Sequence, residues 1–246
     1  MKKVSLLTAI SFIAVQAAAF ANAPEATAPS AMCPNCFKGF FLGGNIGYDM
    51  SFGKQRVTET IGGVPGGDVY SINSKSVGAR GVDGGINVGY NYVFGNKFGL
   101  GLEFVANWAN TTGKVTSTNP EGTLLAKAKM DNSLQLRANF SYVIANLVAP
   151  KIILGWDNSR WKQNFSSNEE AATTFNFKNS HRYNAFLYGF GVDFCAMKHV
   201  VLGVEYTGTV ANSKKFSKTD TATDNAYTAH FKPQRNTIAL VAKVIY

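Results

Sequence analysis

Alternation between apolar residues and small or polar residues is the feature that most limits how this chain can fold. In residues 40–52, FFLGGNIGYDMSF, every second position is apolar or Gly, and the positions between are mostly Gly, Asn, Asp and Ser. A two-residue period of this length is typical of a β-strand with one apolar face and one polar face. The same period returns in residues 82–94, 98–108, 134–144, 151–161, 186–194, 200–210 and 238–246. We therefore predict an all-β fold of eight strands.

The links between these segments alternate strictly in length. Strands two and three are joined by Gly95-Asn96, a tight hairpin signal, and two further links are only slightly longer. The other links are long and polar, and they cover about residues 53–81, 112–133, 162–182 and 212–234. The chain is thus predicted to have three short turns at one end of the structure and four long loops at the other.

Two glutamates interrupt otherwise apolar segments, Glu103 in GLGLEFVANW and Glu205 in LGVEYTGTV. Both fall on the polar face of their strand. Counted from the short turns, Glu103 and Arg137 reach a similar depth on neighbouring strands. A carboxylate buried without a partner costs several kcal/mol, so we expect Glu103 to pair with Arg137, and Glu205 with Lys243. The same face also carries Asp49, Asp83, Asp157 and Asp193.

The N-terminal residues have the pattern of a secretory signal peptide. Two lysines follow Met1, residues 6–20 are mostly apolar, and Ala21-Asn22-Ala23 is a small-x-small cleavage site. We expect residues 1–23 to be removed and residues 24–37 to form a short periplasmic segment. After residue 23 the sequence contains no run of 18 apolar residues, so it does not predict a membrane-spanning helix.

Exported strands of this kind can cross a bilayer only as a closed barrel, because every backbone polar group must be satisfied internally. Each segment supplies the 9–11 residues or so that a spanning strand needs. A soluble β-sandwich or lipocalin-like barrel shows the same alternation. However, the polar face here is poor in Lys and rich in Gly, Asn and Ser, which suits a crowded lumen.

Even strand number, short periplasmic turns and long outer loops are typical of bacterial outer-membrane proteins. We predict that residues 38–246 form an eight-stranded antiparallel up-and-down transmembrane barrel in the outer membrane of a Gram-negative bacterium.

Several segments resemble the small eight-stranded outer-membrane barrels, namely the opacity-protein/porin-like surface antigens and the transmembrane domain of outer membrane protein A. The resemblance covers about residues 38–246. It is carried by GFFLGGNIGYDMSF, GINVGYNYVFGNKFGLGLEF, the repeated G-x-E-[FY] and the closing IALVAKVIY. It implies that Leu240, Ala242, Val244 and Tyr246 are the signal read by the barrel-assembly machinery.

The resemblance also implies a surface-exposed structural or adhesive protein whose long loops contact a host-cell receptor or matrix. An eight-stranded barrel is only wide enough to be filled by its own side chains, so we expect a packed polar lumen. The alternatives are a narrow diffusion pore and a lipid A-modifying enzyme. For the enzyme, His181 has Ser180 beside it, but adjacent strand residues point to opposite faces. No catalytic residue is therefore expected.

The three cysteines leave several arrangements open. Cys33 and Cys36 lie in CPNC before the first strand, and Cys195 lies in the third short turn, at the same end of the barrel. A Cys33–Cys36 bridge, a bridge from either residue to Cys195, and reduced thiols are all compatible with the sequence in an oxidising compartment. CPNC lacks the second ligand pair of a metal site, so no metal or cofactor is expected.

The basic charge of the chain suggests anionic partners at the membrane surface. The formal net charge is +9, or +7 once Lys2 and Lys3 leave with the signal peptide. The last long link is predicted to carry a basic loop patch of Lys214, Lys215, Lys218, Lys232 and Arg235. The simplest interpretation is that these residues are solvated loop charges. The more specific interpretation is that they contact lipopolysaccharide phosphates or acidic glycans. Export argues against nucleic acid as a partner.

Overall fold

The computed structural model describes residues 36–60, 69–72, 76–95, 97–119, 122–168, 176–220 and 225–246. These form ten antiparallel strands: β1 (Gly39–Thr60), β2 (Val69–Ile72), β3 (Ser76–Phe94), β4 (Phe98–Asn119), β5 (Gly122–Tyr142), β6 (Val148–Asn168), β7 (Asn176–Met197), β8 (Val200–Ala211), β9 (Lys214–Asp220) and β10 (Asn225–Ile245). The predicted signal peptide and Cys33 lie outside the described residues. No helix in the described part of the chain is long and apolar enough to cross a membrane.

The strands close into a barrel. The order along the sheet is β2-β1-β3-β4-β5-β6-β7-β8-β10-β9, and β1 also pairs with β10 from Phe41↔Ile245 to Thr60↔Ala226. The short strands β2 and β9 each pair with a single neighbour, beyond the ends of the closed ring. The ring itself is therefore made of the remaining eight strands, which confirms the predicted eight-stranded antiparallel barrel.

Tight turns close the lower end of the barrel. Between β5 and β6, Ala145 and Asn146 both have positive φ angles, 50° and 55°. The bridge between Ile144 and Val148 closes this turn, and positive φ angles at two successive turn residues match the twist of the strands that the turn joins. The amide of Leu147 donates to the carbonyl of Ile144 at 3.0 Å within this turn. The sequence placed the turn correctly, although Ala is an unusual residue at such a φ.

The strands rise much further at the upper end than the alternation predicted. β4 and β5 stay paired as far as Asn119↔Gly122, and β6 and β7 as far as Ser166↔Asn176. Much of the predicted loops at 112–133 and 162–182 is therefore continuous barrel wall. Above the apolar part of the barrel the outward residues become polar, and so the alternation of hydrophobicity fades while the strands continue.

The upper wall is joined by side chains at the seam between β7 and β9. β8 ends at Ala211, and above it β7 pairs with β6 while β9 pairs with β10. Across this seam the Lys214 Nζ donates to the backbone carbonyl of Arg182 at 2.8 Å. His181 also stacks on Phe216, with a distance of 4.6 Å between ring centroids.

An apolar belt surrounds the lower half of the barrel. Its exposed side chains include aromatic residues at the lower rim and at the upper rim: Phe40, Phe94, Phe98, Tyr142 and Tyr246 below, and Phe52, Trp108, Trp156 and Phe186 above. Directly above them, the same outward face carries a row of asparagines: Asn110, Asn132, Asn158, Asn184 and Asn236. On β4 the belt runs from Phe98 to Trp108, which in a tilted strand gives a height of about 25 Å. This height fits the apolar band of an outer-membrane barrel.

Candidate functional site

The lower end of the lumen is filled by apolar side chains, here called the lower plug. Its members are Cys36, Phe37, Phe41, Val143, Ala149, Cys195, Val201 and Ile245. A disulfide joins Cys36 to Cys195, which lie 159 residues apart in sequence. Of the arrangements that the sequence left open, the structure thus has a bridge to Cys195. It ties the segment before β1 to the turn between β7 and β8.

A network of buried charges lies above the lower plug. Arg137 Nη1 contacts Glu205 Oε2 at 2.9 Å, and Lys151 Nζ contacts Glu205 Oε1 at 2.6 Å and Asp193 Oδ1 at 2.7 Å. Gly191 makes this geometry possible, since a Cβ there would lie 3.1 Å from both Glu205 Cγ and Lys151 Cε. We call this group, together with Glu103 and Lys243, the lower charge network.

The expected pairing of Glu103 with Arg137 is wrong. The two residues do face each other across the β4–β5 pair, so their predicted equal depth was correct. However, the guanidinium donates to Gln135 through Nε at 2.8 Å and crosses the lumen to Glu205. Glu103 instead lies 3.6 Å from Lys243 Nζ. The expected pair of Glu205 and Lys243 is present only at 3.9 Å.

Two amides complete the surroundings of Glu103. Asn87 Nδ2 donates to Glu103 Oε1 at 2.8 Å, and Asn139 Nδ2 donates to Glu103 Oε2 at 2.9 Å. Both carboxylate oxygens therefore have a short hydrogen bond besides the Lys243 charge. Buried carboxylates need such partners, and the Asn residues on the inward face supply them.

Arg235 is the centre of an upper charge network and not part of a loop patch, which corrects the sequence interpretation. Its side chain is 3% exposed. Nε donates to Asp49 Oδ1 at 2.7 Å, Nη2 to Asp83 Oδ2 at 2.5 Å and Nη1 to Ser133 Oγ at 3.0 Å. The physical reason is that β10 already begins at Asn225, so Arg235 lies within a strand and on its inward face.

A second apolar layer, the upper plug, covers this network. It consists of Ala126, Ala128, Met130, Trp161, Tyr183, Ala185, Ala211 and Phe231. Phe231 packs against both large rings, with centroid distances of 5.9 Å to Trp161 and 5.8 Å to Tyr183. Gln163 Nε2 donates to the Tyr183 hydroxyl at 3.1 Å. In the part of the barrel that the structure describes, charges therefore fill the middle of the lumen, with an apolar layer below them and another above them.

The other residues of the predicted basic patch do not form one cluster with Arg235. Lys214 lies on β9, with its Nζ 5.5 Å from the centre of the Tyr183 ring. Lys215 is exposed on the same strand, and Lys232 is half-buried on β10. The side chain of Lys218 lies outside the described residues.

The residues of the expected assembly signal lie on one face of β10, except Tyr246, which directly follows its last residue. Leu240, Ala242, Val244 and Tyr246 all point outward and are exposed. That placement puts them in the apolar belt. Their role in assembly stays a prediction.

The Ser180-His181 pair does not form a catalytic arrangement. Ser180 points outward and accepts a hydrogen bond from Arg160 Nε at 3.1 Å. His181 belongs to the opposite face and stacks on Phe216. The serine hydroxyl and the imidazole thus do not converge on one reacting atom, as nucleophilic catalysis requires.

Comparison with known proteins identifies the fold. No protein-family model matches this chain, and no curated protein matches it. Among solved structures it is similar to the outer membrane protease OmpT from Escherichia coli, with a TM-score of 0.50 and 11% identity over 84% of this chain and 97% of that chain. The fold is that of a bacterial outer-membrane barrel.

Further solved structures give weaker matches to this outer-membrane barrel. The outer membrane protein OprG from Pseudomonas aeruginosa has a TM-score of 0.49 and 13% identity, covering 85% of this chain and 97% of that chain. Neisserial surface protein A has a TM-score of 0.41 and 12% identity, covering 85% of this chain and 97% of that chain.

Proposed function

We propose that this outer-membrane barrel is a closed structural protein that does not conduct ions and that presents its tall outer wall at the cell surface. The observation that carries the proposal is the filled lumen. The lower plug, the two charge networks and the upper plug follow one another along the barrel axis. A diffusion pore would need a continuous polar path, and both plugs interrupt such a path with apolar side chains.

Conductance in planar bilayers tests this proposal. The refolded barrel should give no stepwise current, whereas a conducting porin inserted in the same bilayer serves as the positive control. If no current is seen, the folded state of the protein is checked by comparing the gel mobility of unheated and heated samples, since closed membrane barrels often stay folded in cold detergent. Stable unit currents that scale with the amount of inserted protein would show that the plugs open and that the protein is a pore.

We further propose that the outer wall makes adhesive contacts with host cells or matrix. The support is geometric, because β4–β7 rise well above the apolar belt and turn polar, charged faces toward the surroundings. Replacing residues 160–182 by a short Gly-Ser turn should reduce binding of barrel-displaying bacteria to cultured cells. If the shortened barrel is displayed equally well and binds equally well, adhesion through this part of the wall is wrong.

A further inference from the structure

Positive side chains are concentrated on the outside of the wall above the apolar belt. On β4–β7 the outward positions carry Lys114, Lys127, Lys129, Arg160, Lys162, Lys178 and Arg182, all of them exposed. We call this surface the basic outer face. Its one described acidic contact is Asp131, which lies 2.6 Å from Lys162 and 3.8 Å from Lys129. The face therefore carries a large excess of positive charge.

The pairing of the strands sets like charges directly opposite each other. Lys114 faces Lys127, and Lys129 faces Lys162. Arg160 faces Arg182 in the same way. Like charges at directly opposite positions destabilise a sheet. The fold alone gives no reason for three such pairs on one face, and an anionic ligand would relieve the repulsion in all of them.

The lysine side chains also line an open cleft on the outer surface. It has a volume of about 490 Å³ and lies among Lys114, Lys127, Lys129, Lys162 and Lys178. Short side chains, including Thr112, Asn164 and Ser180, also line it. Lysine presents an apolar stem below its charged head. A cleft of this composition suits a ligand that combines phosphates with a sugar or acyl part.

The height of the basic outer face above the apolar belt indicates where such a ligand would come from. On β6 the outward residues above the belt are Asn158, then Arg160, then Lys162, following Trp156 at the rim. Each such step adds about 5 Å of height in a tilted strand. The cationic groups thus begin about 10 Å above the rim and point outward from β4–β7. The headgroups of the surrounding outer leaflet lie at this height.

Side-chain contacts also anchor the lower part of the face to the belt. Arg182 Nη1 donates to Asn158 Oδ1 at 2.7 Å, and Asn158 Nδ2 donates to Asn184 Oδ1 at 2.6 Å. The asparagine row therefore holds one guanidinium at the edge of the apolar belt. A held guanidinium binds phosphate with less loss of conformational freedom than a mobile one.

We propose that the basic outer face binds the phosphates of a lipid A-type glycolipid in the outer leaflet. The ligand's acyl chains would lie along the apolar belt and its phosphorylated sugars in the lysine cleft. The inference needs only the membrane orientation of the barrel. It stands whether or not the protein adheres to host cells.

Binding of purified lipid A to the refolded full-length mature barrel in zwitterionic detergent tests the proposal. The probes are bisphosphorylated lipid A and the same lipid with both phosphates removed. The triple variant Lys127→Gln/Lys129→Gln/Lys162→Gln should weaken the Kd for bisphosphorylated lipid A on the order of 100-fold. The dephosphorylated lipid should bind weakly and equally to both proteins. Because the substitutions remove like-charge pairs, the folded fraction on unheated gels should not fall.

A matched control removes the same charge elsewhere on the outer surface. The variant Lys54→Gln/Lys215→Gln/Lys232→Gln alters β1, β9 and β10, includes the facing pair Lys54 and Lys232 that lies away from the lysine cleft, and should leave the Kd within about threefold. Equal losses in both triple variants would show unspecific attraction and overturn the proposal. So would equal binding of the dephosphorylated lipid. A further contrary result is that heparin binds more tightly than lipid A and loses this binding in the Lys127→Gln/Lys129→Gln/Lys162→Gln variant alone. That result would assign the basic outer face to a soluble polyanion and overturn the proposal.

Discussion

At the scale of single residues, the lumen is stabilised because most of its buried charges have more than one partner. Gln135 shows how the partners are connected. Its Oε1 accepts from Arg137 Nε at 2.8 Å. Its Nε2 donates at 2.9 Å to Asp157 Oδ1, which lies 3.9 Å from Arg235 Nη1 in the upper charge network. One amide therefore joins the lower charge network to the upper one. Removal of a charge from such a network leaves its partners buried and unpaired, which costs more than the pair itself contributes.

Arg235 is the side chain whose loss should cost the most. In Arg235→Gln, Asp49 and Asp83 would lose their main cationic partner, and the free energy of unfolding should fall by about 3–5 kcal/mol. Urea unfolding of the barrel in lipid vesicles, followed by gel mobility, measures the loss. Lys232→Gln, three residues away on the same strand, should change stability by less than about 0.5 kcal/mol. Equal effects of the two substitutions would place Arg235 outside the lumen.

The sequence predicted which residues face the lumen better than it predicted their contacts. Alternation placed Glu103, Arg137 and Glu205 on the inward face, where the structure has them. It could not predict that Arg137 reaches Glu205, which is 68 residues away, and not the neighbouring Glu103. In a narrow lumen, long side chains reach across the barrel axis. Two residues of opposite charge at a similar depth on neighbouring strands therefore need not form an ion pair.

At the scale of strands, a β-bulge explains why the upper part of β5 was missed. The pairing of β5 with β6 shifts between Met130 and Asn132. Below this point Ser133 and Gln135 face inward, and above it Met130 and Ala128 do so. An extra residue in one strand exchanges its two faces. The two-residue period is therefore interrupted at Asp131, and the sequence suggested a loop where the strand continues.

The same bulge lies beside the basic outer face, which the sequence did not predict. Because the faces exchange at Asp131, Lys127 and Lys129 point outward next to Lys162. In the sequence these lysines are spread over separate long links, and only the register of the strands brings them together. A signal was present in the alternating KAKM of residues 127–130, but it was too short to indicate a strand by itself.

The disulfide between Cys36 and Cys195 should stabilise the barrel by tying the segment before β1 to the turn between β7 and β8. Cys195→Ala should lower the free energy of unfolding by about 2–4 kcal/mol under oxidising conditions. Cys33→Ser should leave stability unchanged and serves as the control. Mass mapping of the unreduced protein should find the peptides of Cys36 and Cys195 linked, with Cys33 available for alkylation. Because Cys33 and Cys36 fall in one peptide, fragment ions must assign the bridge, and a bridge located at Cys33 would contradict this arrangement.

At the scale of the whole molecule, the barrel is organised opposite to a soluble domain. Charged and amide side chains fill its middle, and large apolar residues cover its lower outer surface. Membrane barrels alternate in this way because lipid solvates the outside while the lumen must satisfy its own polar groups. The tall polar wall then continues beyond the belt, where lipid no longer favours apolar side chains.

The three tryptophans of the chain report directly on this orientation. Trp108 and Trp156 are 59% and 46% exposed in the apolar belt, whereas Trp161 is 1% exposed inside the upper plug. In vesicles of brominated lipid, fluorescence of Trp161→Phe should be strongly quenched. Fluorescence of Trp108→Phe/Trp156→Phe should be nearly unaffected, because bromine quenches only by close contact and the remaining ring is shielded by the barrel wall. The reverse pattern would mean that the apolar faces of the strands point inward, and neither the membrane belt nor the glycolipid site above it could then exist as described.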